Sequence, residues 1–150
     1  MNRRKFIYNS SIASLSVMGM QSCNILDRNV KISILHTNDV HSQIEAFPSN
    51  HNIYPDRGGF AKRANIFNGL MKLNPNTLIF DAGDIFQGTP YFNFFQGELE
   101  LNLMKKMGYN AATIGNHEFD AGLDILKRNI INNDFQFISS NYDFTNTSLE

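Results

Sequence analysis

The chain has 150 residues, 42% of them hydrophobic and 12% aromatic, which is enough to bury the core of one domain. Its formal charge of -1 is unevenly distributed, because the first 29 residues hold four basic residues against one acidic residue, a charge of +3, and the remainder carries -4. A mildly acidic body with no basic stripe excludes polymeric nucleic acid as a partner, and a single cysteine, Cys23, excludes an internal disulfide framework.

The first 23 residues have the order of an export signal. Basic residues at positions 3–5 precede an apolar stretch from Phe6 to Met20, and Cys23 follows. Serine and asparagine interrupt the stretch, so it is too polar for the roughly 20 apolar residues of a membrane span. The start resembles a twin-arginine signal and Cys23 resembles a lipoprotein cysteine, with an ordinary cleaved signal as the alternative. We therefore expect export to the periplasm or cell envelope, with lipidated Cys23 as a membrane attachment.

After a short linker at 24–29, strand and helix patterns alternate along the chain. Residues 30–35 alternate and then become apolar, which predicts a first strand. A polar, turn-rich stretch from Ser42 to Gly59 predicts a surface loop. Apolar residues at helical spacing predict a helix over 60–73, and the nearly continuous apolar run of 77–80 predicts a strand covered on both faces.

The second half repeats this order. An apolar stripe over 98–107 with Gly108 after it predicts a helix, and 110–114 predicts a third strand. A further stripe from Leu123 to Ile131 predicts another helix, and 135–138 predicts a fourth strand. The order βαβαβαβ predicts an α/β fold in which a layered sheet of parallel strands carries helices on its faces.

Polar strings stand where three of the predicted strands end. They are Asp39-Val40-His41 after the first strand, Gly83-Asp84 after the second, and Gly115 to Asp120 after the third. The carboxyl ends of parallel strands share one edge of a sheet, where ligands bind, so we expect these strings to converge. One residue separates Asp39 from His41, so an extended backbone would point both side chains the same way.

The residue types in these strings suit a site for two metal ions. Asp39 and His41 offer oxygen and nitrogen to one divalent cation, and the carboxylate of Asp84 has two oxygens with which to bridge it to a second. Asn116 offers the second cation a neutral amide oxygen. Such mixed ligands suit zinc, manganese, iron or cobalt. Two cations of this kind hold a hydroxide between them and neutralise the oxygens of a phosphoryl group under attack.

His117 has a separate predicted role as a general acid. As an imidazolium it would stabilise the phosphoryl oxygens or protonate the leaving alkoxide, and Asp120 would orient its ring and raise its pKa. Glu118 is expected to face solvent or a helix terminus. Each of these residues taken singly is more often structural, but together on one sheet edge they predict a metal-dependent hydrolase of phosphate esters.

Four longer strings that contain these residues form one pattern, and they are Ile34 to His41, Gly58 to Ala64, Asp81 to Pro90 and Gly115 to Asp120. In combination they resemble the calcineurin-like metallophosphoesterases, and within them the bacterial exported 5′-nucleotidases. The resemblance covers residues 32 to about 142. It implies that Asp39 and His41 bind the first metal and that Asp84 bridges the two. It also implies that Asn116 binds the second metal and that His117 with Asp120 forms the catalytic dyad for phosphate release from nucleotides.

The resemblance further implies parts that lie beyond these residues. The family completes its metal site with histidines further along the chain, whereas no histidine follows His117 here. It also binds the nucleoside through a separate C-terminal domain. We therefore expect residues 30–150 to be the N-terminal part of a catalytic domain, truncated from a longer product. The alternatives are a catalytically silent fragment that binds metal or phosphate weakly, and a relative that acts on cyclic nucleotides or nucleotide sugars.

Overall fold

A single parallel sheet organises the fold in the computed structural model, which describes residues 29–132 and 136–150. Its strands are β1 (Ser33–Thr37), β2 (Thr77–Asp81), β3 (Ala111–Thr113) and β4 (Gln136–Ile138). They lie in the order β1-β2-β3-β4, and every neighbouring pair is parallel. The predicted α/β fold with parallel strands is confirmed.

Helices fill the connections between the strands. They are α1 (Phe60–Leu73), α2 (Pro90–Phe95), α3 (Glu98–Met107) and α4 (Leu123–Ile131), with a 3₁₀ turn at His117–Phe119. α1 presents Phe60 and Phe67, two turns apart, to the core. α3 ends at Met107, and Gly108 follows it with a left-handed φ of 84° and an N–H that donates back to the carbonyl of Lys105.

The core contains apolar side chains from both the sheet and the helices. Ile79 of β2, Met104 of α3 and Leu126 of α4 are each 0% exposed. Two residues of the loop after β2, Ile85 and Phe86, are also fully buried. The loop that carries Asp84 is therefore anchored in the core directly after that residue, which limits its freedom to move.

Most of the predicted elements agree with the structure, and the exceptions are short. The predicted bounds of α1 and α3 agree with the observed ones. β1 begins at residue 33 and not at 30, because its register with β2 starts at the pair Ser33 and Thr77. The sequence patterns do not predict α2, a six-residue helix that begins at Pro90. They also leave the 3₁₀ turn as an unspecified loop.

The predicted export signal at 1–23, its Cys23 and the linker up to residue 28 lie outside the described residues. The sheet and its helices belong to a unit that runs from Lys31 to Glu150. Among the helices of 29–132 and 136–150, none combines the length and the apolar character needed to cross a membrane.

Candidate metal centre

The loops that follow β1, β2 and β3 meet at one edge of the sheet. The N–H of Asp39 donates to the carbonyl of Gly83 at 3.0 Å, and that of His41 donates to the carbonyl of Asp84 at 3.1 Å. The third loop joins them, because the N–H of His117 donates to Oδ1 of Asp84 at 3.1 Å. Hydrogen bonds from backbone N–H groups, two to carbonyls and one to the Asp84 carboxylate, thus bring together residues that stand up to 78 positions apart in the chain, from Asp39 to His117.

Three side chains at this edge could hold a metal ion. The ligand atoms of His41, Asp84 and His117 all lie within 4.8 Å of one another. The rings of the two histidines meet edge to face, with centroids 5.1 Å apart. Asp39 lies beside them, with its Oδ1 3.8 Å from Nε2 of His41. Converging carboxylate oxygens and imidazole nitrogens fit a divalent transition metal. The group includes His117, which the sequence predicts as an acid and not as a ligand.

Asn116 immediately precedes His117, one member of this group, in the chain. It is exposed and immediately precedes the 3₁₀ turn, with helical backbone angles of φ -74° and ψ -30°. His117, the next residue, is only partly exposed. Asn116 is therefore accessible to solvent at the start of the turn that carries His117.

His117 also interacts with Asp120, as the spacing predicts. Its Nδ1 lies 2.8 Å from Oδ2 of Asp120. This hydrogen bond is the largest cause that raises the pKa of His117 above its ordinary value, and desolvation opposes it. Since Nδ1 is occupied, Nε2 is the atom with which His117 would meet a substrate or a metal ion.

The backbone that carries Asp39 and His41 differs from the prediction. β1 ends at Thr37, and Asp39 and His41 have φ values of 51° and 44°, in the left-handed region. The prediction that an extended strand end aligns the two side chains is therefore wrong. They converge because the chain turns sharply and is hydrogen-bonded to the loop after β2.

Glu118 is fully buried, and the prediction that it faces solvent or a helix terminus is wrong. Its Oε1 accepts the N–H groups of Ile85 at 2.7 Å and Phe86 at 3.1 Å. Its Oε2 accepts those of Asp84 at 3.0 Å and Gly115 at 2.6 Å. The carboxylate thus ties the loop after β2 to the loop after β3. The role of Glu118 could have been inferred from one requirement, because the backbone N–H groups of two buried loops need a hydrogen-bond acceptor.

Two glycines allow these loops to approach closely. Gly83 has a φ of 97°, and a Cβ there would lie 2.7 Å from the backbone nitrogen of Gly115. A Cβ on Gly115 would overlap Oδ1 of Asp84. A side chain at either position would push Asp84 away from the loop after β3.

Asp81 supports the same loop from within the sheet. It is 4% exposed, and its Oδ1 accepts the N–H of Gly83 at 2.9 Å. Its Oδ2 accepts the hydroxyl of Thr37 at 2.5 Å. Burial is the main cause that raises the pKa of Asp81 to about 6. Asp81 therefore links the ends of β1 and β2 beneath the ligand group.

Comparison with known proteins agrees with this fold. Residues 32–149 match the calcineurin-like phosphoesterase family. The structure of a 5′-nucleotidase precursor from Thermus thermophilus is similar, with a TM-score of 0.70 and 35% identity over 76% of this chain and 23% of that one. An NAD nucleotidase from Haemophilus influenzae has a TM-score of 0.66 and 36% identity over 73% and 20%.

A curated sequence extends the same likeness. The snake venom 5′-nucleotidase of Naja atra is 36% identical over 115 residues, which is 74% of this chain and 22% of that protein. Across these three relatives the chain spans between 20% and 23% of their own lengths. The similarity therefore concerns one part of each relative.

Proposed function

The chain belongs to the calcineurin-like phosphoesterase family, and on that premise we propose that it acts as a metal-dependent hydrolase that releases phosphate from 5′-nucleotides. The observation that carries the proposal is the convergence of His41, Asp84 and His117 at the carboxyl edge of the sheet. The relatives named as 5′-nucleotidases support nucleotides as the substrate class.

The proposed ligands of the metal ions are Asp39, His41, Asp84 and Asn116. Zinc, manganese, iron and cobalt all suit this mixture of donors. Two divalent cations held there would supply a water of lowered pKa and would neutralise charge on the phosphoryl oxygens. The chain itself contributes the arrangement, because hydrogen bonds between loops fix Asp84 between the turn that carries His41 and the turn that carries Asn116.

His117 and Asp120 are the proposed acid dyad. The protonated imidazole would donate from Nε2 to the oxygen of the leaving nucleoside as the bond to phosphorus breaks. Asp120 would hold the ring in the required orientation through Nδ1, at the observed 2.8 Å, and would favour the charged form. The dyad needs no contact with the cations to perform this step.

The test of this function is hydrolysis by the complete gene product with added Mn²⁺. Phosphate release from a nucleoside 5′-monophosphate is measured for the wild type and for His117→Ala. Loss of a general acid is expected to lower kcat about 100-fold or more. The loss should be much smaller with p-nitrophenyl phosphate, whose phenolate leaves without protonation. Equal kcat values for wild type and variant on the nucleotide would refute the assigned role.

The same experiment separates two roles for His117, since its ring lies among the metal-binding side chains. A residue that acts only as an acid leaves the dissociation constant for Mn²⁺ unchanged when it is replaced. Replacement of a residue that acts as a ligand raises the dissociation constant for Mn²⁺ and lowers the rate on both substrates alike. Calorimetric titration of His117→Ala with Mn²⁺ therefore decides between them.

A dinucleotide is a second candidate substrate, favoured by the similarity to an NAD nucleotidase. The two candidates differ in the bond that is broken, a monoester in one and a pyrophosphate link in the other. Values of kcat/KM for a nucleoside 5′-monophosphate, for NAD and for a cyclic nucleotide would rank the substrates. The monophosphate is expected to have the highest value.

Export is proposed from the first 23 residues, and residues 30–150 are proposed as the N-terminal part of the catalytic domain. The order of basic residues, apolar stretch and cysteine supports the export signal. Fractionation of cells that express the wild type or Cys23→Ser tests the lipid anchor. The variant is expected to move from the membrane fraction to the soluble periplasmic fraction. An identical distribution of the two proteins would refute the anchor.

A further inference from the structure

Glu118 interacts with the rest of the molecule through backbone N–H groups. Its two oxygens accept four of them, two on each oxygen, at distances between 2.6 and 3.1 Å. An ionised carboxylate offers about four acceptor positions, so these bonds saturate it. Since Glu118 is also 0% exposed, it has no acceptor position left for a metal ion or a substrate. Any effect of this residue on the site must pass through the backbone that it holds.

That backbone belongs to two of the ligand loops. Three of the donors, Asp84, Ile85 and Phe86, follow β2, and the fourth, Gly115, follows β3. Asp84 has a φ of 55°, which a residue with a side chain keeps only when its surroundings hold it. The bond from its N–H to Glu118 is one such restraint.

We propose that Glu118 is a positioning residue of the candidate metal centre. Its carboxylate sets the separation between Asp84 and the turn that carries Asn116 and His117, and so sets the affinity of the site for a divalent cation. The effect on metal affinity rests on the proposed function. The restraint on the four N–H groups is a property of the metal-free chain and is measured independently.

Glu118→Gln is the variant that tests the proposal, with Asn74→Ala as its matched control. Glutamine has the size of glutamate, but its NH₂ group would face two N–H donors, so two of the four bonds are lost. Asn74 lies at the opposite edge of the sheet, where its Nδ2 donates to the carbonyl of Lys31 at 3.0 Å and to Oγ of Ser33 at 2.9 Å. Its replacement removes side-chain hydrogen bonds without touching the ligand loops.

The first measurement is hydrogen exchange of the metal-free complete gene product, followed by mass spectrometry. In Glu118→Gln the peptides that contain residues 84–86 and 115 are expected to exchange at least tenfold faster than in the wild type. In Asn74→Ala these peptides should keep the wild-type rate, and faster exchange should be confined to the start of β1 and the end of α1. A general loss of stability would instead affect both sets of peptides in both variants.

The second measurement is the dissociation constant for Mn²⁺, obtained by calorimetric titration. Glu118→Gln is expected to raise it about 10-fold or more, the usual effect of losing a residue that orients ligands, and Asn74→Ala is expected to leave it unchanged. If Glu118→Gln does not fold, Glu118→Asp replaces it, because the shorter carboxylate keeps its charge and cannot reach both loops. Faster exchange at residues 84–86 and 115, and a higher dissociation constant for Mn²⁺, would support the proposal in the same way if Glu118→Asp shows them.

The outcomes for the two proposals are distinct. Wild-type exchange rates and wild-type Mn²⁺ affinity in the Glu118 variant would overturn the positioning role, whatever its activity. A wild type that binds Mn²⁺ but hydrolyses no nucleotide would refute the proposed function and leave the positioning role supported by the two measurements. Equal losses of Mn²⁺ affinity in the Glu118 and Asn74 variants would also overturn it, since the effect would then be general.

Discussion

Asp81 makes the stability of the metal-free chain depend on pH. Burial raises its pKa to about 6, and hydrogen bonds from Thr37 and Gly83 offset this only in part. A carboxyl whose pKa is higher in the folded chain than in the unfolded chain stabilises the fold when protonated. This contribution is complete below the ordinary pKa of 3.8 and is lost as the pH rises through about 6.

Asp81→Asn is expected to remove that pH dependence. Between pH 3.8 and about 6, the unfolding free energy of the wild type should fall by on the order of 3 kcal/mol. Each pH unit between the two pKa values contributes about 1.36 kcal/mol. The variant should lose much less, because asparagine can still accept from Gly83 and has no charge to bury. Urea denaturation in the presence of a chelator, at a series of pH values from about 4 to 7, measures the difference. The same slope in both proteins would contradict the prediction.

Asp120 is expected to set the alkaline limit of activity through His117. Its hydrogen bond is the main cause that raises the pKa of His117, so Asp120→Asn should lower that pKa. An acid acts in its protonated form, which is present below its pKa and lost above it. The alkaline limb of kcat/KM for a nucleoside 5′-monophosphate should therefore move to lower pH in the variant. An alkaline limb at the wild-type pH would contradict the role of Asp120.

The ligand types could be predicted from the sequence, whereas the backbone that aims them could not. The sequence correctly predicts that Asp39 and His41 follow a strand, but their left-handed φ values have only a weak local signal, because neither residue is glycine and Asp and His adopt this conformation in a minority of cases. The conformation results from hydrogen bonds to a loop that starts more than 40 positions later. The burial of Glu118 was not predicted for the same reason, since three of its four hydrogen-bond partners lie in that distant loop.

At the scale of one element, α1 contains a residue that weakens it. Gly69 lies inside the helix, and a Cβ added there would meet nothing within 4 Å. Alanine restricts the unfolded chain and favours the helix, so Gly69→Ala is expected to raise the unfolding free energy by about 0.5 to 1 kcal/mol. Urea denaturation of the two proteins measures it. A lower stability of the variant would contradict the open space seen around Gly69.

Gly115→Ala makes the same chemical change in a loop and should have the opposite effect. Its Cβ would overlap Oδ1 of Asp84, so the loops after β2 and β3 must separate. We expect lower stability and weaker binding of Mn²⁺, both measured beside Gly69→Ala by denaturation and calorimetry. Wild-type affinity in Gly115→Ala would show that the approach of these two loops does not matter for the site.

Helix length decided which helices the sequence could predict. α1 and α3 are long enough to show an apolar stripe, and Gly108 marks the end of α3. α2 has six residues, too few for a stripe, and depends on tertiary contacts. Its Phe92 is buried against Phe86 of the preceding loop, with ring centroids 5.6 Å apart. Such a helix forms because the core is already present.

At the scale of the whole molecule, parallel pairing assembles the site. β1, β2 and β3 run in the same direction as neighbours, so the loops after them lie side by side at one edge. This much follows from the alternation of strands and helices. The distances between the ligands do not, because they depend on hydrogen bonds between loops from three different parts of the chain.

A metal ion bound across those loops should stabilise the whole fold, since the unfolded chain does not hold the ligands together. Binding to the folded state alone contributes about 2.7 kcal/mol when the free metal is at about 100 times its dissociation constant. The Tm of the complete gene product is therefore expected to rise with added Mn²⁺ and to return to its starting value with a chelator. Asp84→Asn should abolish the rise, because Asp84 lies between the other two loops.

Asp124→Asn is the matched control for that experiment. Asp124 is an exposed acid in the first turn of α4, and it is not part of the cluster of His41, Asp84 and His117. Its replacement is expected to lower the Tm slightly, through the loss of a favourable charge at a helix N-terminus, and to leave the rise with Mn²⁺ intact. Scanning calorimetry of the three proteins gives the comparison. An equal rise in wild type and Asp84→Asn would place the stabilising ion away from the sheet edge, because a cation held by the converging loops requires the carboxylate that joins them.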